Sequence, residues 1–106
     1  MKLWIDDIRP APKGYVLCKS VNEAIKFCIQ MLTSYNELLI EEINLDHDAG
    51  NYAKDGGDYI RFLSWLEEKH IIDGWKINTI FHIHSMNPVG KKNMLNIIKN
   101  NGWAFY

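Results

Sequence analysis

The chain has 106 residues, of which 47% are hydrophobic and 24% charged, and its formal net charge is -1. That length suits a single domain over residues 1–106 with a modest core of its own, and the near-neutral balance excludes a global attraction to duplex nucleic acid or an anionic membrane. No apolar run approaches the roughly 20 residues of a bilayer span, and Met1-Lys2 leads into a strand rather than a signal peptide, so a cytoplasmic protein without membrane contact is expected.

Met1 to Ile5 reads as a short apolar strand that ends in two adjacent carboxylates, Asp6 and Asp7. Arg9-Pro10-Ala11-Pro12-Lys13-Gly14 cannot continue it, because two prolines and a glycine break regular structure. Tyr15 to Lys19 is strand-like again, and Ser20-Val21-Asn22-Glu23 is a capping-box pattern that predicts a helix from Val21. Val21, Ala24, Ile25, Cys28, Met31 and Leu32 recur at helical spacing, so this helix has one apolar face and is expected to end near Ser34 to Asn36. Cys18 and Cys28 lack the paired spacing of a zinc or redox motif and read as buried free thiols.

Leu38 to Glu42 is ambiguous, and the apolar run Ile43-Asn44-Leu45 then delivers Asp46-His47-Asp48. In extended chain Asp46 and Asp48 point one way and His47 the other, with Gly50 allowing a sharp exit. The polar stretch from Asn51 to Gly57 predicts a mobile loop able to close over a ligand, and Asp58 is positioned to cap a helix with Tyr59, Phe62, Leu63 and Leu66 on its apolar face. Thr79 to His84 is a further strand ending in His84-Ser85, before Asn87-Pro88-Val89-Gly90 opens a helix carrying Met94, Ile97 and Ile98. Asn100-Asn101-Gly102 stops that helix, and Trp103 to Tyr106 is a final short strand. Strands alternating with helices predict a compact three-layer α/β/α sandwich with a mostly parallel sheet.

In such sheets ligands bind outside the carboxyl ends of the strands, where Asp6, Asp7, Asp46, Asp48, His84 and Ser85 fall. Asp6, Asp7 and Asp46 form the oxygen-rich set that a hard divalent cation such as magnesium prefers, although strand-end aspartates also cap helices or bond loop amides. Asp7 and Asp48 fit that second role better. His82 and His84 share a strand face; His82 suits a buried, hydrogen-bonded role, and His84, at the strand end beside Ser85, suits chemistry. Helix-start amides and the Asn87 side chain there can cradle a phosphate. His47, flanked by carboxylates, can move a proton or serve structure, and Arg9 can grip a phosphate or simply lie on the surface.

Leu3-Trp4-Ile5-Asp6-Asp7-Ile8-Arg9-Pro10-Ala11-Pro12-Lys13-Gly14-Tyr15, Leu45-Asp46-His47-Asp48 and His84-Ser85-Met86-Asn87-Pro88-Val89-Gly90-Lys91-Lys92-Asn93-Met94 together resemble the cyclic-phosphate processing receiver-like domain family, over nearly the whole chain. The resemblance implies a receiver-like, flavodoxin-like sandwich and a role in opening cyclic phosphates in RNA ends or nucleotide signals, in bacteria and their phages. Two-component receivers are a broader likeness, yet their switch lysine has no counterpart after Trp103, and His84-Ser85 stands where their switch hydroxyl lies. Within the cyclic-phosphate family the usual leucine after the second strand-end aspartate is Ala49 here.

The expected protein is therefore a small phosphoesterase acting on a cyclic nucleotide or a cyclic-phosphate RNA end. Asp6, Asp7 and Asp46 hold magnesium or manganese, Arg9 and Asn87 hold the phosphate, and Asp46, His47, His84 and Ser85 form the catalytic group. A receiver-like module that binds such a ligand or a protein partner without turnover is the alternative, and a phosphoacceptor at Asp46 a third.

Overall fold

A computed structural model describes residues 1–106. Strands β1 (Lys2–Ile5), β2 (Tyr15–Cys18), β3 (Glu42–Leu45), β4 (Ile80–Ile83) and β5 (Ala104–Phe105) form one sheet in the order β2-β1-β3-β4-β5, with every neighbouring pair parallel. Helices α1 (Val21–Gln30), α2 (Ile60–Ile72) and α3 (Pro88–Asn100) supply the crossovers. The α/β class and the parallel sheet are those the alternation predicts, the receiver-like character is what the resemblance implies, and the expected three layers are reduced to two.

The sandwich is built on one side only. The three helical crossovers all step toward β5, so right-handed connections place all three helices on the same face, and α2 packs against both α1 and α3. The β1–β2 connection steps the other way, and it is the proline-broken loop Asp6–Gly14 rather than a helix. Alternate strand residues record the result. Leu3, Ile5, Ile43, Leu45, Phe81 and Ile83 are buried under Ala24, Cys28, Phe62, Leu63, Leu66, Met94 and Ile98 in one core. Lys2, Trp4, Tyr15, Leu17, Glu42, Ile80 and His82, on the other face, are half-buried or exposed.

Local chemistry sets the element ends. Ser20 Oγ accepts the Glu23 N–H at 3.1 Å, and the Glu23 carboxylate reaches back to the Lys19 N–H, so α1 starts at Val21 as the capping pattern predicts. It stops at Gln30, short of the expected Ser34. Thr33 Oγ1 accepts the N–H groups of Tyr35 and Glu37, Asn36 takes a positive φ of 62°, and Leu32 pairs back onto Leu38. Asn87 caps α3 through the Gly90 N–H at 3.0 Å, with Pro88 in the first turn. Asp58 does not cap α2. Its carboxylate accepts the Ala49 N–H at 3.0 Å, and α2 begins at Ile60 after Tyr59, which carries no side-chain cap bond.

The segment expected to be a mobile loop is held down instead. Gly50–Lys54 is a 3-10 turn, and Asp55 accepts the Ser20 hydroxyl at 2.7 Å and the Asn22 amide at 2.9 Å. Gly56 sits where a Cβ would lie 2.8 Å from Val21, with φ of 112°. Cys18 and Cys28 are free and buried; burial, helped by Glu23, pushes the Cys18 thiol up to about 11, and burial raises Cys28 further. No helix is long and apolar enough to cross a membrane.

Candidate functional site

Ile5, Leu45 and Ile83 are register partners at the last rungs of β1, β3 and β4. The ladder continues one step further, with the Asp46 N–H bonded to the Ile5 carbonyl and the His84 N–H to the Leu45 carbonyl, each at 3.0 Å. Asp6, Asp46 and His84 thus occupy neighbouring positions with the parity of the open face. One ligand atom from each lies within 4.8 Å of the other two. The strand ends deliver two carboxylates and an imidazole to one point.

Asp6 is 1% exposed and fully engaged. Its Oδ1 accepts the N–H groups of Ile8 at 3.0 Å and Arg9 at 3.2 Å, and its Oδ2 lies 2.7 Å from His84 Nε2. Burial alone would raise its pKa, but the Ile8, His84 and Arg9 contacts outweigh it and hold the carboxyl below its ordinary 3.8. Burial pulls the His84 imidazole below its ordinary 6.5, against the raising pull of Asp6 and Asp46. Asp7 goes the other way: burial and the neighbouring Asp6 and Asp46 charges raise it.

Asp7 does not join the three clustered ligands; His84 does. The Asp7 carboxylate instead lies against Gly50, where a Cβ would stand 2.4 Å from Oδ2 and φ is 55°. Asp48 also leaves the cluster. After Asp46 the chain bends, the His47 N–H bonds the Asp46 carboxylate at 2.8 Å, and His47 Nδ1 pairs with the exposed Asp48 carboxylate at 2.8 Å. The extended two-residue period therefore ends at Asp46. The His47 ring rests on the backbone of Gly90, where a Cβ would come within 2.5 Å of it.

Arg9 reaches across the strand ends, donating from Nη1 to the His84 carbonyl at 2.8 Å and standing 3.9 Å from Asp6 Oδ2. Ser85 Oγ accepts the Asn87 N–H at 3.0 Å, so both Ser85 and Asn87 shape the entry to α3. His82 is half-buried rather than buried; its Nδ1 bonds the main-chain oxygen of Tyr106 at 2.6 Å, and the two rings stack at 4.3 Å.

Asn44, Glu42, Trp4 and Gly90 are the site residues that the sequence reading missed. Asn44 is 6% exposed, and its Oδ1 meets His84 Nδ1 at 2.5 Å. Its signal was in plain view: an amide in an apolar strand, two residues before Asp46. Glu42 lies two residues earlier on the same face and receives the Tyr15 and Tyr106 hydroxyls as well as the Asn44 amide. The Trp4 ring lies parallel to the His84 imidazole, 4.1 Å away and 9° off plane. A groove of ≈ 300 Å³ lined by Met1, Leu38, Leu39, Ile40, Glu41 and Asn78 lies at the opposite, amino ends of the strands, away from this chemistry.

No curated protein and no solved structure gives a significant match to the chain. The model of one family, described as the cyclic-phosphate processing receiver domain, matches residues 1–100. That span contains every residue of the Asp6–Asp46–His84 cluster and its supports on β3, and the chain belongs to the cyclic-phosphate processing receiver domain family.

Proposed function

We propose that the chain hydrolyses a cyclic phosphodiester, in a nucleotide or at an RNA end, to a phosphomonoester. The observation that carries this reading is the convergence of Asp6, Asp46 and His84, with ligand atoms within 4.8 Å of one another at the carboxyl ends of three adjacent strands. Family membership supplies the substrate class. Two carboxylates and one imidazole fit a divalent metal, and the imidazole favours manganese over magnesium, which prefers an all-oxygen shell. When bound, such an ion polarises a phosphoryl oxygen and offsets charge building on phosphorus. Asp6, Asp46 and His84 would hold it, the ion taking the place of the hydrogen bond between Asp6 Oδ2 and His84 Nε2, with Asp7 beside them.

The remaining residues supply positioning and proton transfer. Arg9 keeps guanidinium nitrogens free of its His84 contact and can grip a phosphate oxygen. Asn87 and the first amides of α3 lie at the helix start, where an anion is favoured. His47 has its Nδ1 held by Asp48, which is how a carboxylate orients an imidazole for general-base work. Water oxygen bonds to phosphorus as its proton passes to His47, the ring P–O bond breaks, and the departing sugar oxygen takes that proton back from His47.

Binding without turnover is the second reading. It is favoured by the internal commitments of Ser85 and Asn87, whose polar groups already bond backbone amides. The test is phosphorus NMR of 2',3'-cyclic and 3',5'-cyclic nucleotides with the protein and magnesium or manganese. A new monoester resonance that falls about a hundredfold or more in rate with Asp46→Asn supports hydrolysis. An unchanged spectrum with raised thermal stability selects the binding module.

A further inference from the structure

Ile8 and Met86 are the two most exposed large apolar side chains of the chain, each 83% exposed. A single exposed apolar side chain on a loop needs no explanation, but these two stand in equivalent places. Ile8 lies two residues after Asp6 and Met86 two residues after His84, so each follows a member of the cluster out of the carboxyl end of its strand. Two residues of chain reach at most about 7 Å, which starts both side chains beside the reaction centre.

Neither loop is loose. The Asp6 carboxylate accepts the N–H groups of Ile8 at 3.0 Å and Arg9 at 3.2 Å, and the Trp4 indole N–H donates to the Arg9 carbonyl at 3.2 Å. On the other side the Asn87 N–H donates to Ser85 Oγ at 3.0 Å, closing a turn around Met86. The Arg9 guanidinium ties the two loops together through its 2.8 Å bond to the His84 carbonyl. The polar groups flanking Ile8 and Met86 thus hold the backbone in place, and what these two positions offer to a ligand is hydrocarbon. Apolar groups kept in water on a fixed backbone favour a contact, because covering them is favourable and little conformational freedom is lost.

A phosphate at the cluster brings an apolar part with it when it belongs to a nucleoside. The cyclic phosphate is fused to the ribose, and the base stands on the other side of that sugar with two flat faces that stack regardless of base identity. We propose that Ile8 and Met86 form a base-contacting rim, covering the faces of the nucleobase whose cyclic phosphate lies at Asp6, Asp46 and His84. The proposal rests on the reading of that cluster as a cyclic-phosphate centre, and it adds that the ligand carries a base. Isoleucine and methionine side chains supply area and a polarisable sulfur but no hydrogen bonds to base edges, so the rim reads ring size and not base identity. Purines then bind more tightly than pyrimidines, and adenine and guanine bind alike.

The test follows the Ile8 and Met86 methyl groups by carbon-13 NMR in the full chain with magnesium. The probes are 2',3'-cyclic and 3',5'-cyclic AMP, GMP and CMP, with glycerol 1,2-cyclic phosphate as the base-free comparison, and phosphorus NMR of the same samples reads turnover. A cyclic nucleotide is expected to move both methyl signals, and the base-free probe to leave them in place. Ile8→Ala and Met86→Ala each weaken the nucleotide about fivefold to tenfold relative to the base-free probe, in Kd or in KM rather than kcat. Leucine at either position restores the affinity, because it restores the area. Tyr35→Ala, at an 81% exposed position in the loop before β3, leaves it unmoved.

Methyl signals that no nucleotide moves overturn the proposal, and so do alanine variants that keep the wild-type nucleotide affinity. Signals that shift with protein concentration and not with nucleotide also overturn it, and place a second copy of the chain on the rim. Turnover of a cyclic nucleotide with both methyl groups unmoved removes the base contact and leaves hydrolysis standing. Moved methyl groups with an unchanged phosphorus spectrum uphold the base contact and remove hydrolysis.

Discussion

The two faces of the sheet use alternate residues of the same strands, and they are held by different forces. On the covered face Leu3, Ile5, Ile43, Leu45, Phe81 and Ile83 meet three helices, and burial of apolar area stabilises them without regard to direction. On the open face Trp4, Glu42, Asn44 and His84 meet one another, and His82 meets Tyr106, through oriented hydrogen bonds and stacked rings. The first face keeps the chain folded, whereas the second keeps a few polar atoms aimed. Hydrogen bonds contribute little net stability but strong direction, so a face made of them suits a reactive site better than a core.

That contrast is broken most directly on the neighbouring residues Phe81 and His82. Phe81→Ala opens a cavity in the covered face and is expected to cost about 3–5 kcal/mol in urea unfolding. His82→Ala loses one hydrogen bond and one stack and is expected to cost about 1 kcal/mol. Equal losses would mean that the open face contributes to stability as the core does.

Gly90→Ala probes the region where helix and site meet. Within a helix this change ordinarily stabilises by up to about 1 kcal/mol. Here the new methyl would stand 2.5 Å from the His47 ring, so a loss of about 1–3 kcal/mol is expected, together with a displaced His47 resonance. A stabilised protein with an unmoved His47 would show that the ring has room.

Asp46→Asn sharpens the distinction between stability and function. It removes a charge that raises Asp7, so unfolding stability should hold or rise while manganese affinity falls about tenfold or more. A parallel loss of both would place Asp46 among the structural aspartates.

The smallest expected effect is on acid stability. His84 has a folded-state pKa below the 6.5 of the unfolded chain, so the unfolded state takes up the proton first as pH falls. The contribution is complete above 6.5, declines below it, and levels off once the folded imidazole also titrates. Asp6, held below 3.8, adds a second decline as pH falls through its folded value. Melting temperature followed against pH should lose the first step in His84→Gln and weaken the second, because His84 is one of the contacts that hold Asp6 low; a variant that keeps the first step would assign it elsewhere.

Much of the fold was legible one segment at a time. The Ser20 and Asn87 caps, the proline-broken loop after β1, the apolar face of α1 and the order of strands and helices depend on residues within a turn or two of each other. Errors arose where a distant partner competed with the local rule. Asp58 would cap α2, but the Ala49 amide takes its carboxylate; Asn51 to Gly57 is polar enough for a mobile loop, but Asp55 is tied to Ser20 and Asn22.

The sequence by itself determined that carboxylates and imidazoles stand at the ends of three apolar strands, because the two-residue period and the breakers that follow are local properties. Which of them meet was decided only by the tertiary structure. Parallel pairing of β1, β3 and β4 in one register puts His84 beside Asp6 and Asp46 and leaves Asp7 against Gly50 and Asp48 against His47. The same pairing lays Glu42 and Asn44 in line with His84, a connection between residues 40 positions apart, from Asn44 to His84, that no local periodicity encodes.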